Sequence, residues 1–130
     1  LNNYKADVKL TNKQWPSTFG WEELRMKRFL VGKGTSEDEQ FKEHVDVRKH
    51  ESAKRFLILM VYLNHDFDGG ETVFPQLGDA IAPRKGRILM FPPMWTYLHR
   101  GEPPTGNGYA KYFLMTYLNY GDVNDFYPKG

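Results

Sequence analysis

Eight consecutive apolar or aromatic residues, Phe56-Leu57-Ile58-Leu59-Met60-Val61-Tyr62-Leu63, constrain the fold more than any other feature of this sequence. A strand alternates its side chains between two faces, so a run with no polar position belongs to a strand covered on both sides. The run is far too short for a membrane helix, which needs roughly 20 apolar residues. Around it, short β-branched or aromatic segments recur between turn signals, and clear helical periodicity is scarce. The segments expected as strands are Met26–Val31, Phe41–Val47, Arg55–Asn64, Thr72–Phe74, Arg87–Phe91, Tyr97–Arg100 and Lys111–Leu118. Between them lie Gly32-Lys33-Gly34, Asp68-Gly69-Gly70, Pro83 to Gly86, Pro92-Pro93 and the Gly101–Gly108 loop. Seven strands in 93 residues fit a sandwich or jelly roll. Before Met26 the pattern is weakest, and Trp21-Glu22-Glu23-Leu24 reads as a candidate helix start.

The whole chain of 130 residues has room for one core, so a single domain over 1–130, with its core at about 26–118, is expected. Lys and Arg total 18 against 16 Asp and Glu, and the signs are interleaved. Neither a nucleic-acid partner nor a membrane partner is expected from such a balance. Leu rather than Met opens the sequence, so we expect processing upstream of it; with no leader or spanning segment visible, a cytoplasmic location is expected. Cysteine is absent, which removes thiolate metal sites, disulfides and cysteine nucleophiles together. Any metal must be held by His, Asp or Glu.

Two of the four histidines stand where a metal site would need them. In Glu43-His44-Val45-Asp46, strand geometry sends the His44 and Asp46 side chains to one face, where an imidazole and a carboxylate can share an ion. His99, 55 residues later, would complete two His and one carboxylate, the facial set of non-haem Fe(II) oxygenases. The tripeptide alone is equally an ordinary polar pair on a surface strand, and the same donor set would also make an open zinc site. His50 and His65 sit among charged loop residues and read as solvated.

The context favours the oxygenase. Arg55 to Asn64, then Gly69-Gly70-Glu71-Thr72-Val73-Phe74-Pro75, then Pro83 to Phe91, then His99 and Lys111-Tyr112 resemble, in order, the catalytic core of the Fe(II)/2-oxoglutarate dioxygenases, and within them the prolyl 4-hydroxylase branch. The resemblance runs from about Met26 to Leu118. It implies a mainly β fold, the double-stranded β-helix or jelly roll, with little helix near the N-terminus. It also implies iron bound by His44, Asp46 and His99 as the catalytic metal set. The cosubstrate 2-oxoglutarate would chelate that iron while its far carboxylate meets Lys111 and the Tyr62 hydroxyl. Lys111 follows His99 by twelve positions, longer than is usual in the family, and Gly106-Asn107-Gly108 reads as a small insertion. Arg100 is the alternative cation, although as the strand neighbour of His99 it is expected to face away.

The resemblance further implies consumption of O2, with ascorbate as an accessory reductant, release of succinate and CO2, and hydroxylation of a C–H bond. A prolyl residue in a peptide or protein segment is the expected substrate, with a free amino acid or other small molecule as the alternative. A non-catalytic jelly-roll binding module is the reading from another class. Arg55, Trp95, Tyr97 and Arg100 are the expected substrate contacts. Gly69 and Gly70 read as structural, and Tyr117 stands where many relatives carry Trp.

Overall fold

The computed structural model describes residues 1–121. One helix, α1 (Asn2–Asp7), precedes eleven strands: β1 (Phe19–Trp21), β2 (Arg25–Leu30), β3 (Phe41–His44), β4 (Arg55–Tyr62), β5 (Asp68–Gly69), β6 (Thr72–Phe74), β7 (Asp79–Ile81), β8 (Ile88–Phe91), β9 (His99–Gly101), β10 (Pro104–Thr105) and β11 (Ala110–Tyr120). Every strand pair is antiparallel. A larger sheet runs β1-β11-β4-β8, with β2 beside β1 on the same edge of β11, and a second sheet runs β3-β9-β6-β7. These sheets close over one another as the expected jelly roll.

The apolar run forms β4 at the centre of the larger sheet, between β11 and β8. Its inward side chains, Ile58, Met60 and Tyr62, join Phe74, Phe91, Phe113, Met115 and Tyr117 in the core. Phe56 and Leu57 form a second cluster with Leu118, covered by Leu1, Tyr4, Trp15 and Phe19. That cover reaches only one end of the strand. Toward the other end the register aligns Met26, Leu114, Val61 and Ile88 in one row across the outer face. Met26 is 64% exposed and Ile88 54%. The double-sided cover expected of the whole run is therefore present only where the N-terminal segment packs.

Other expectations are corrected in detail. Trp21 closes β1 instead of opening a helix, because its backbone pairs with Leu118. Tyr97 ends a 3-10 turn, Trp95–Tyr97, and the strand begins at His99. The segment expected as Phe41–Val47 ends at His44. Gly69 and Gly70 both take positive φ, the conformational freedom for which their pairing was read as structural.

Candidate metal centre

His44 ends β3 and His99 opens β9, and the two are register partners across the smaller sheet. Asp46 lies past the end of its strand. Its backbone N–H and that of Val47 both donate to the Pro93 carbonyl, at 3.1 Å each. The carboxylate thus reaches the histidines because the chain turns under the Pro92-Pro93 segment, and strand alternation plays no part. One donor atom from each of His44, Asp46 and His99 lies within 4.8 Å of the others.

The ring orientations fix the chemistry. His44 Nδ1 lies 2.6 Å from the Lys42 carbonyl and His99 Nδ1 lies 2.9 Å from the Tyr97 carbonyl. A carbonyl only accepts, so Nδ1 carries the proton on each ring and Nε2 is left with its lone pair. Both Nε2 atoms face Asp46, at 3.4 Å from Oδ1 for His44 and 3.4 Å from Oδ2 for His99. Buried Oδ2 has no hydrogen-bond partner. Two imidazole lone pairs and an ionised oxygen facing one point repel unless a cation stands among them, and backbone carbonyls that take the Nδ1 proton in this way orient metal-ligating histidines. The donor set suits a divalent ion.

In the metal-free site the two rings titrate differently. Burial pushes the His99 imidazole below its ordinary value, keeping it neutral as a ligand must be. When His44 is protonated at Nε2 as well, that N–H donates to Asp46 and raises the His44 pKa against the opposing effect of burial, so a metal binding there displaces a proton. Burial works to raise Asp46, but the His44 bond and the charge of His99 outweigh it and hold the carboxyl low.

The three residues line a cavity of about 390 Å³ whose floor carries Lys111. Lys111 is 1% exposed, and its ammonium donates to the Gly70 carbonyl at 2.7 Å. Burial drives its pKa down to about 8, with Glu71 and Glu102 pulling the other way. Tyr62 is fully buried, and its hydroxyl pairs with Thr72 Oγ1 at 2.5 Å. It does not line the cavity; Thr72 does.

The expected substrate contacts are not gathered at this cavity: Arg55, Trp95, Tyr97 and Arg100 are all absent from its lining. Arg55 forms a two-bond pair with Glu22 at 2.7 and 2.9 Å, and its guanidinium lies 3.9 Å over the Tyr117 ring. Tyr117 does line the cavity beside Asp46. Trp95 is 77% exposed, and Tyr97 packs on Phe74 and Phe91. Arg100 is held by Glu102 at 2.6 Å and Glu43 at 3.5 Å on the surface, away from the cavity as its strand position required. His65 is exposed and accepts the Lys85 N–H. Sequence reading missed Thr72, Glu22 and the cavity-lining Arg25, Lys27 and Lys42. Alternation in the Arg25-to-Leu30 strand, where Arg25, Lys27 and Phe29 share one face, was the available signal for two of them.

A family model described as the 2OG-Fe(II) oxygenase superfamily matches residues 30–119, most of the chain, including His44, Asp46, His99 and Lys111. The chain belongs to that superfamily. Among relatives of this superfamily member, a putative prolyl 4-hydroxylase of Acanthamoeba polyphaga mimivirus is 35% identical over 60 residues, covering 40% of this chain and 25% of the relative. The chain therefore matches about a quarter of that curated relative. A viral collagen prolyl hydroxylase from Paramecium Bursaria Chlorella virus-1, solved with 2OG, superposes with a TM-score of 0.69 at 23% identity, over 93% of this chain and 71% of that one. A Phytophthora capsici prolyl 4-hydroxylase gives 0.59 at 31% identity, over 78% and 33%. The fold is shared with these prolyl hydroxylases, and the family is the 2OG-Fe(II) oxygenase superfamily.

Proposed function

We propose that this domain is an Fe(II)- and 2-oxoglutarate-dependent hydroxylase acting on a prolyl residue of a peptide or protein. The observation that carries the reading is the convergence of His44 Nε2, His99 Nε2 and the unpartnered Asp46 Oδ2 in the cavity that buries Lys111. Iron held there would supply O2 activation coupled to decarboxylation of 2-oxoglutarate. The protein's own part is to position, charge-match and keep dry.

His44 and His99 present their lone pairs because their Nδ1 protons are tied to backbone carbonyls. Asp46 supplies the anion that brings two charges on the ion down to one. Lys111 meets the far carboxylate of the cosubstrate, which would otherwise be an unpaired buried charge. The Thr72 hydroxyl faces the same space, and the Tyr62 hydroxyl orients it from behind. Ile58, Met60, Phe113 and Met115 give the cavity apolar walls. The prolyl substrate rests on the relatives, among which prolyl hydroxylases recur.

The test is incubation of the iron-loaded protein with 2-oxoglutarate, ascorbate and proline-containing peptides, reading succinate release and peptide mass gain by tandem mass spectrometry. Oxygen placed on proline, absent in Asp46→Ala, is the expected result. Succinate release stimulated only by free small molecules overturns the prolyl assignment. No succinate under any condition overturns the oxygenase reading.

A further inference from the structure

Besides Lys111, three cations line the cavity without pairing to any carboxylate among the described residues: Arg25 and Lys27 on β2, and Lys42 on β3. Register sets Arg25 opposite Met115 and Lys27 opposite Phe113, so both side chains leave β2 on the side of β11 that forms the cavity wall. Lys42 enters from the other sheet, two residues before His44. The ion pairs of the described residues join His44 and His99 to Asp46, Arg55 to Glu22, and Arg100 to Glu43 and Glu102. None involves these three. The cavity lining contains a single acid, Asp46.

Charge balance decides what such a rim is for. A divalent ion with neutral histidines and ionised Asp46 retains one positive charge. That charge and the Lys111 ammonium match the two carboxylates of the cosubstrate, so the interior is neutral once it is loaded. The rim cations remain, and like charges sharing one opening repel until an anion arrives. An inward-pointing lysine on an edge strand is a known guard against edge pairing. That accounts for one such residue on β2, but not for a third cation brought to the same opening from the opposite sheet.

We infer that the rim reads carboxylates: the substrate is an acidic peptide segment, with Asp or Glu flanking the residue that is hydroxylated. This rests on the hydroxylase reading above and names its substrate class. Lys27 sits over the Phe41 ring, 5.9 Å from ammonium to centroid, so the rim offers an aromatic surface to the peptide beside the charges.

The test is anaerobic fluorescence anisotropy with protein loaded with Mn(II) and 2-oxoglutarate at low salt. Labelled peptides carry one proline flanked on both sides by Glu, by Gln or by Lys, and a parallel series has Ala in place of the proline. Glu-flanked peptides are expected to bind about tenfold tighter than Gln-flanked ones, which is ~1.4 kcal/mol, the sum of two or three exposed ion pairs. The preference should fade in wild type as salt rises. It should also disappear in Arg25→Gln/Lys27→Gln/Lys42→Gln and persist in Arg84→Gln/Lys85→Gln, which removes charge away from the cavity. Equal binding of Glu and Gln peptides, or a preference intact in the triple variant, overturns the inference. So does a weaker 2-oxoglutarate titration in the triple variant with the peptide preference unchanged, which reassigns the rim to cosubstrate entry. Binding that ignores the exchange of proline for alanine while keeping the acid preference overturns the prolyl reading alone.

Discussion

Replacing Lys111 by Met should stabilise the metal-free protein at neutral pH while destroying cosubstrate binding. Lys111 is 1% exposed, and its ammonium donates to one carbonyl, that of Gly70, and lies 5.1 to 5.7 Å from the ring centroids of Phe113, Phe29 and Tyr62. Burial moves its pKa from 10.5 to about 8, a penalty on the charged form of about 3 kcal/mol. Methionine has similar length and no charge, so Lys111→Met removes that penalty and loses a hydrogen bond worth about 1–2 kcal/mol. The net expectation at pH 7 is a gain of about 1–2 kcal/mol in urea unfolding.

The sign must change with pH. For wild type the folded pKa is depressed, so below pH 8 both states are protonated and the penalty is fully present. Between about 8 and 10.5 the folded state sheds the proton first, the unfolded state binds more protons, and wild type gains stability as pH rises. By the top of that window the variant should be the less stable of the two. Taking the difference between variant and wild type at each pH cancels the other titrating groups. In the same variant, absorption titration of the anaerobic Fe(II) protein should show 2-oxoglutarate weakened by about 2–5 kcal/mol, the cost of an unpaired buried carboxylate. A variant that is destabilised equally at pH 7 and pH 10 refutes the reasoning and makes the Gly70 clamp the purpose of Lys111.

His99→Ala leaves two protein ligands, so iron retained after anaerobic dialysis should fall well below wild type by metal analysis while circular dichroism is unchanged. In the metal-free protein, Asp46→Asn should lower the raised pKa of His44, read by NMR titration of the imidazole. The stability from that pair is present below the ordinary imidazole pKa and lost as pH rises through the folded one, so the variant's deficit should be largest on the acid side. Gly70→Ala should cost about 1–3 kcal/mol in urea unfolding, because φ is +73° and the new Cβ would stand 2.8 Å from Phe67 Cε2 and 3.2 Å from Lys111 Cδ.

What the sequence disclosed is what long-range order writes into side-chain pattern. β2, β4 and β11 carry enough apolar pattern to be read within a residue or two; His44, Asp46 and His99 have the residue types of a metal set, whereas Lys111, one of 18 Lys and Arg, is picked out only by the family resemblance. The short strands Asp68–Gly69, Asp79–Ile81 and Pro104–Thr105 carry no such pattern; they exist because a partner backbone lies beside them. The same holds for Phe19–Trp21, which pairs with the far end of β11 although its last residue opens the candidate helix start Trp21–Leu24. Asp46 was found for a reason the structure replaces, since the proline segment and not the strand's period delivers its carboxylate. Tyr62, an aromatic at a strand end, matches a family position, whereas Thr72, which stands between it and the cavity, has no signature until the fold shows which hydroxyl lines the space.

The slender attachment of β3 has a further consequence. Between Leu30 and Arg55 it is the one described strand, and it meets β9 at two register pairs, Phe41 with Gly101 and His44 with His99, with an irregularity between them. Two of the three candidate ligands belong to this stretch and the third to its partner strand, so an ion bound there bolts the segment onto the barrel. Occupancy then becomes legible to a protease. Lys33, Lys42, Arg48, Lys49 and Lys54 all fall within the stretch. Trypsin should cut there readily after chelation and slowly once metal is restored, because cleavage follows the population of the opened segment and binding draws that population down.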